Sequence, residues 1–90
     1  MKISSQQIED IVIDVAHKVY GTEIFQRRPL MLAVEKEIRR IGGWTAEDEK
    51  SSTSVGEKSD GLAKIDGAIS HLYQEGKLDR TGRNRWKLPQ

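Results

Sequence analysis

Lys77, Arg80, Arg83, Arg85 and Lys87 crowd the end of the chain, with Asp79 the one acid among them. Cations so concentrated suit a polyanion, provided the fold leaves them free. The apolar residues of the same segment are Leu78, Trp86 and Leu88, and a β-hairpin that serves them must set all three on one face. A two-residue turn at Gly82-Arg83 pairs Leu78 with Lys87, and one at Arg83-Asn84 pairs it with Pro89, so each splits the apolar set. A three-residue loop, Gly82-Arg83-Asn84, pairs Leu78 with Leu88 and Arg80 with Trp86, and gives Asn84 the left-handed conformation that such loops need. Asp79 then lies across from Lys87, and Thr81 across from Arg85, on the outer face. Lys77, Arg83 and Arg85 are left without a folding duty, while Arg80 lies along the indole of Trp86.

Other chemistries find less support. His17 and His71 fall on different predicted helices without a third ligand, and Glu47-Asp48-Glu49 lacks the alternation of a calcium loop, so no metal site is expected. The chain has no cysteine, which removes disulfides and thiolate chemistry. No nucleophile stands beside a base and no phosphate-binding glycine loop is present, so no catalysis, cofactor or small-molecule substrate is expected. Phe25, Trp44, Tyr73 and Trp86 mostly occupy inward positions, which favours packing over base stacking.

Three helices must position the hairpin. Ser4 followed by Gln7 has the capping-box pattern, and Ile8, Ile11, Val12, Val15 and Val19 then repeat at helical spacing, predicting a helix from about Ser5 to Tyr20 that Gly21 stops. A second stripe of Ile13, Ala16 and Tyr20 reads as the flank of the core or a partner contact. Thr22 to Phe25 is predicted as a short strand beside the hairpin. Pro29 suits the first turn of a second helix burying Leu30, Met31, Val34, Ile38 and Ile41, with Leu32 off that face and Gly42-Gly43 as its end. From Trp44 to Asp60 the sequence is rich in Ser, Thr and charge, predicting a mobile loop. The third helix starts after Ser59-Asp60, runs to Glu75 and buries Leu62, Ile65, Ala68, Ile69 and Leu72, with Tyr73 at the margin.

Ninety residues make one domain, too small for a deep catalytic cleft. The apolar runs are too short to span a membrane, and a soluble chain, cytoplasmic or nucleoid-associated, is expected. The net charge of +1 conceals segregation. Residues 76–90 carry five basic side chains against one acidic, residues 26–40 five against two, and residues 44–60 two against five.

The order helix, short strand, helix, loop, helix, hairpin resembles the winged helix-turn-helix superfamily. The likeness is strongest in Ala68-Ile69-Ser70-His71-Leu72-Tyr73-Gln74-Glu75-Gly76-Lys77-Leu78, followed by basic residues around Gly82 and then Trp86-Lys87-Leu88. The stretch is also similar to small winged-helix modules of restriction and other DNA-processing systems, such as the amino-terminal domain of Mrr-type endonucleases. One departure is the loop of about seventeen residues where the superfamily has a short turn; its closure entropy grows only slowly with length.

This resemblance implies an α+β winged-helix domain over residues 1–90, with the third helix in the major groove of double-stranded DNA and the wing on the backbone or minor groove. On this chain the expected contacts are Lys58 and Ser59 at the positive end of the third helix, Lys64, Ser70, His71 and Gln74 on its outer face beside the small Ala63 and Gly67, and Lys77, Arg83 and Arg85 on the wing. Arg27 and Arg28 fit a phosphate clamp or an ordinary basic surface equally. The role implied is transcription regulation or DNA recognition, as a homodimer or within a larger assembly. The alternative is a protein-interaction module that binds no DNA, for which the near-neutral charge and the stripe Ile13, Ala16 and Tyr20 leave room. The acidic segment Glu47-Asp48-Glu49 reads either as a solubilising loop or as a strap over the basic surface when DNA is absent.

Overall fold

The computed structural model describes residues 1–50 and 59–89. Helix α1 (Ser5–Val19) opens as its capping box requires. Ser4 Oγ accepts from the Gln7 amide at 3.2 Å, and the Ser4 amide donates to Gln7 Oε1 at 2.8 Å. Two donors that the first turn leaves unpaired are thereby satisfied. Ile8, Val12, Val15 and Ala16 are buried at helical spacing, and Ile13 and Tyr20 pack against the same cluster. The second stripe therefore belongs to the core, with Tyr20 stacked on Phe25 at a centroid distance of 4.9 Å.

Helix α2 (Arg27–Arg40) buries Leu30, Met31, Val34 and Ile38. Ile41, expected on that face, falls beyond the last helical residue and is exposed, as Leu32 is. The segment from Trp44 to Asp60 is not a loop throughout, which corrects the expectation for its first part. A one-turn helix, α3 (Ala46–Glu49), sits there. Asp48 closes it: Oδ2 accepts from the Thr45 amide and hydroxyl, both at 2.9 Å, while Oδ1 faces the Met1 ammonium at 3.2 Å and Lys64 Nζ at 3.4 Å. Residues 51–58 of the expected loop lie outside the described residues.

Helix α4 (Asp60–Gln74) begins at Ser59, whose Oγ accepts from the Leu62 amide at 3.2 Å. Ile65, Ala68, Ile69 and Leu72 are buried, Leu62 packs at the edge of the core, and Gly61 lies under Trp44 so closely that a Cβ would stand 2.3 Å from the indole. Gly76, at φ +76°, takes the left-handed turn that a residue with a Cβ adopts only at a cost and launches the hairpin.

The hairpin pairs β1 (Asp79–Gly82) with β2 (Arg85–Lys87). Asp79 faces Lys87 and Arg80 faces Trp86, as the apolar alternation requires, and Asn84 has φ +56°. Nearer the tip the expected Thr81–Arg85 pairing gives way to Gly82–Arg85. The register shifts between Arg80 and Gly82, so Thr81 becomes an extra residue on β1 and its hydroxyl donates to the Arg85 carbonyl at 3.3 Å. Of the strand expected at residues 22–25, Phe25 alone pairs, exchanging two backbone hydrogen bonds of 2.8 and 2.9 Å with Trp86.

The architecture is thus α+β, with four helices among the described residues, rather than three, ahead of a two-stranded antiparallel hairpin. Helices α1, α2 and α4 each pack against the other two, and α3 packs on α4. Val12, Leu30, Val34, Ile38, Ile65 and Ile69 are sealed at the centre, and Phe25, Leu78, Trp86 and Leu88 join the same cluster from the hairpin side. Among the described residues no helix is long and apolar enough to cross a membrane.

Two predictions test this packing. Gly61→Ala forces the Trp44 indole from its seat and should lower unfolding free energy by about 1–3 kcal/mol, measured by urea denaturation. Burial pushes the Asp48 carboxyl up, but the Thr45 amide and hydroxyl and the N-terminal ammonium outweigh it and hold it below its ordinary value. A carboxyl depressed in the folded state stabilises the fold above its unfolded pKa, near 3.9, and that stabilisation is lost as pH falls through the lower folded value. Asp48→Asn leaves the buried ammonium unpaired and should cost about 3–5 kcal/mol at pH 7. The gap from the parent protein should narrow when unfolding is measured at pH 3 and below.

Candidate nucleic-acid interface

Burying Leu78, Trp86 and Leu88 turns the charged residues of the hairpin outward. Lys77, Arg83 and Arg85 are exposed, and among the described residues no carboxylate forms an ion pair with any of them, nor with Arg28. Cations elsewhere are differently placed. Lys18 pairs with Asp14, Arg39 with Glu35 and Glu49, Arg40 with Glu37, Lys50 with Glu47 and Lys64 with Asp48. Lys2 and Lys36 also show no ion pair among the described residues, but the densest group of unpaired cations is that of the hairpin, Lys77, Arg83 and Arg85.

Arg27 joins that side to the helices. Its Nε donates to Asp66 Oδ1 at 2.6 Å, its Nη2 donates to the Asp66 carbonyl at 2.7 Å and to Ser70 Oγ at 2.6 Å, and its guanidinium lies 5.2 Å from the centre of the Trp86 ring. The backbone is tied as well. Gln26, the residue before α2, provides no side-chain cap, and the Arg27 amide donates instead to Asn84 Oδ1 at 3.2 Å. The hairpin tip therefore acts as a helix cap. Trp86 is held further by Arg80, 5.5 Å from the ring centre, and by Tyr73, edge-on at 5.3 Å. Arg27 serves as a brace, whereas Arg28 is left exposed beside it.

The result is a shallow groove between α4 and the hairpin, lined by Arg27, Ser70, Tyr73, Gln74, Arg80, Arg83, Asn84 and Trp86. The expected contact residues on α4 do not all face it. Ser70 and Gln74 line the groove, with the Ser70 hydroxyl already accepting from Arg27. Lys64 and His71 lie on the opposite flank, Lys64 near Asp48 and His71 Nδ1 3.0 Å from both Glu9 and Glu75. Ser59 is the cap of α4, and Lys58 lies outside the described residues. Ala63 and Gly67 are exposed between the two flanks.

Among the described residues the acidic segment makes no ion pair with a hairpin cation. Asp48 is sealed in α3, Glu49 pairs with Arg39 at 2.7 Å, and Glu47 pairs with Lys50 at 3.2 Å. Sequence reasoning missed the bracing by Arg27, the capping by Asn84 and the company of His71. Only the last left a local signal, since Glu75 follows His71 at the spacing that puts two side chains on one helix flank. Compared with known proteins, the chain matches no family model, no curated protein and no solved structure.

The two arginines before α2 should separate in their effects. Arg27→Ala removes charged hydrogen bonds to Asp66 and Ser70 and should destabilise the fold by about 2–4 kcal/mol. Arg28→Ala should stay within about 0.5 kcal/mol of the parent. Thermal unfolding of both variants checks the split.

Proposed function

We propose that this chain is a winged-helix module that binds double-stranded DNA, with α4 presented to the major groove and the β1–β2 wing to the backbone or minor groove. The observation that carries the reading is the charge distribution. Arg28, Lys77, Arg83 and Arg85 have no acidic partner among the described residues, while Lys18 of α1 and Arg39 and Arg40 of α2 are paired with neighbouring carboxylates. Phosphate contacts need cations that the fold has not already engaged.

Gly67 gives independent support. It lies in the middle of α4, and a Cβ there would meet nothing within 4 Å. Packing does not require a glycine at this position, although glycine costs an exposed helix about 1 kcal/mol relative to alanine. A surface that must let a partner close to its backbone accounts for it. Ala63 and Ser70 keep the same face low, and Gln74 has both a donor and an acceptor for a base edge. A single small module has a modest footprint, so tight binding calls for a dimer or a larger assembly, as in a transcription regulator or the recognition part of a DNA-processing system.

A second reading, a protein-interaction module, rests on the groove between α1 and α2 lined by Val15, Val19 and Ala33, where Val19 is 57% exposed. The two readings separate experimentally. In fluorescence anisotropy with a labelled duplex, binding should weaken steeply with salt. The Arg83→Ala/Arg85→Ala double variant should lower affinity on every sequence and reduce the slope of log K against log salt by about one for each phosphate no longer neutralised. Gly67→Glu should abolish binding and leave the melting temperature at or above that of the parent, while Val19→Asp leaves binding unchanged. No binding at low salt, or equal binding by the arginine variant, would reject the DNA reading.

A further inference from the structure

On the flank of α4 away from the wing, three ligand-bearing side chains converge. Glu9 comes from α1, His71 from the last turn of α4 and Glu75 from its C-terminal cap. His71 Nδ1 is 3.0 Å from Glu9 Oε2 and 3.0 Å from Glu75 Oε1, and one donor atom from each residue falls within 4.8 Å of the others. Nδ1 carries at most one hydrogen, so it cannot donate fully to both carboxylates. The Glu9 side chain is 8% exposed, and His71 is the one hydrogen-bonding side chain that faces it among the described residues. A buried carboxylate with so little compensation is costly.

We propose that Glu9, His71 and Glu75 form a binding site for a divalent transition-metal ion that ties α1 to the C-terminal end of α4. A neutral imidazole and two carboxylates balance the double charge of such an ion, a balance that a single proton on His71 does not reach. With metal–ligand bonds of about 2.0–2.2 Å, neighbouring donors on a tetrahedral ion lie roughly 3.3 Å apart, so the two 3.0 Å separations need only small shifts, and the two glutamate oxygens lie within 4.8 Å of each other. A mixed nitrogen and oxygen set suits zinc and its first-row neighbours better than calcium or magnesium. A cation is also favoured at a helix C-terminus by the helix dipole. His71 and Glu75 are 54% and 42% exposed, which gives the ion a way in, and the adjoining cavity, lined in part by Ser4, Ser5 and Gly67, leaves room for a further ligand. The other charged groups on residues lining that cavity, Lys64 Nζ and the Met1 ammonium, are turned toward Asp48 at 3.4 and 3.2 Å.

The site is independent of the DNA reading, and its test needs no DNA. Tag-free protein is stripped with chelator, and its melting temperature is followed while Zn²⁺ is added. Co²⁺ is titrated in parallel, and its visible absorption reports nitrogen and oxygen ligation. Zn²⁺ should raise the melting temperature by several degrees at saturation, and Co²⁺ should give a one-to-one spectrum. His71→Ala and Glu75→Gln, both at exposed positions, should lower affinity about tenfold or more, as should Glu9→Gln, while His17→Ala binds like the parent. No shift and no spectrum in the parent, or binding retained by both His71→Ala and Glu75→Gln, would overturn the proposal whether or not Glu9→Gln folds.

Discussion

Trp86 joins pieces of chain that would otherwise have no reason to meet. Its backbone exchanges two hydrogen bonds with Phe25, its ring receives Tyr73 from α4 edge-on, and the guanidinium groups of Arg27 and Arg80 lie over it. A two-stranded hairpin is marginal alone in water, and this one has strands of four and three residues. Its stability is borrowed from the core, since fully burying a side chain such as Leu78 or Leu88 contributes about 1.5–3 kcal/mol. The geometry of the charges follows. Once Leu78, Trp86 and Leu88 point inward, strand alternation sends Arg85 outward and the turn carries Arg83 to the tip. The hairpin's cations are held in place by apolar packing rather than by each other.

Much of this was legible in the sequence because the constraint is local. Three apolar residues over eleven positions admit one satisfactory register, and the same logic of spacing located α1, α2 and α4. The register failed only at Thr81, where a bulge near the turn inserts a residue that apolar alternation cannot detect. Helix α3 was missed for a different reason. Four residues are too few to display a helical period, and its mark, threonine followed three residues later by aspartate, sits in a segment whose composition resembles a loop. Arg27 was undecidable from sequence. The same guanidinium serves equally as phosphate clamp or brace, and the choice is made by Asp66 and Ser70, which are 39 and 43 positions away.

Charge segregation gains meaning once the pairs are known. Arg39, Arg40 and Lys18 contribute to the sequence's basic count yet offer little to a polyanion, because each sits against a carboxylate. A net charge of +1 is therefore a sum over two unlike surfaces, one self-neutralised and one not. Such surface pairs add little to stability. Their larger effect is to leave the hairpin with the densest unpaired positive charge, which on the proposed DNA-binding reading orients an approaching polyanion before any contact forms.

Helix α4 divides these surfaces, and its two flanks set different limits on what its exposed face does. On one flank Ser70 is engaged by Arg27, so its hydroxyl is oriented by the fold, and Gln74 remains the polar side chain with both hydrogen-bonding roles open. On the other flank His71 is drawn toward Glu9 and Glu75. If a metal occupies that cluster, His71 is committed to the ion and α1 is fixed to the end of α4, where the chain turns at Gly76 into the hairpin. A helix so held has its rotation set from one side by the ion and from the other by Arg27. On the proposed DNA-binding reading, base contacts by a face with few polar side chains depend on that rotation, because a small turn of the helix displaces Gln74 while leaving the hairpin arginines in place. On that reading specificity and affinity reside in separate parts of the molecule, the first in the packing around α4 and the second in the unpaired charge of the hairpin.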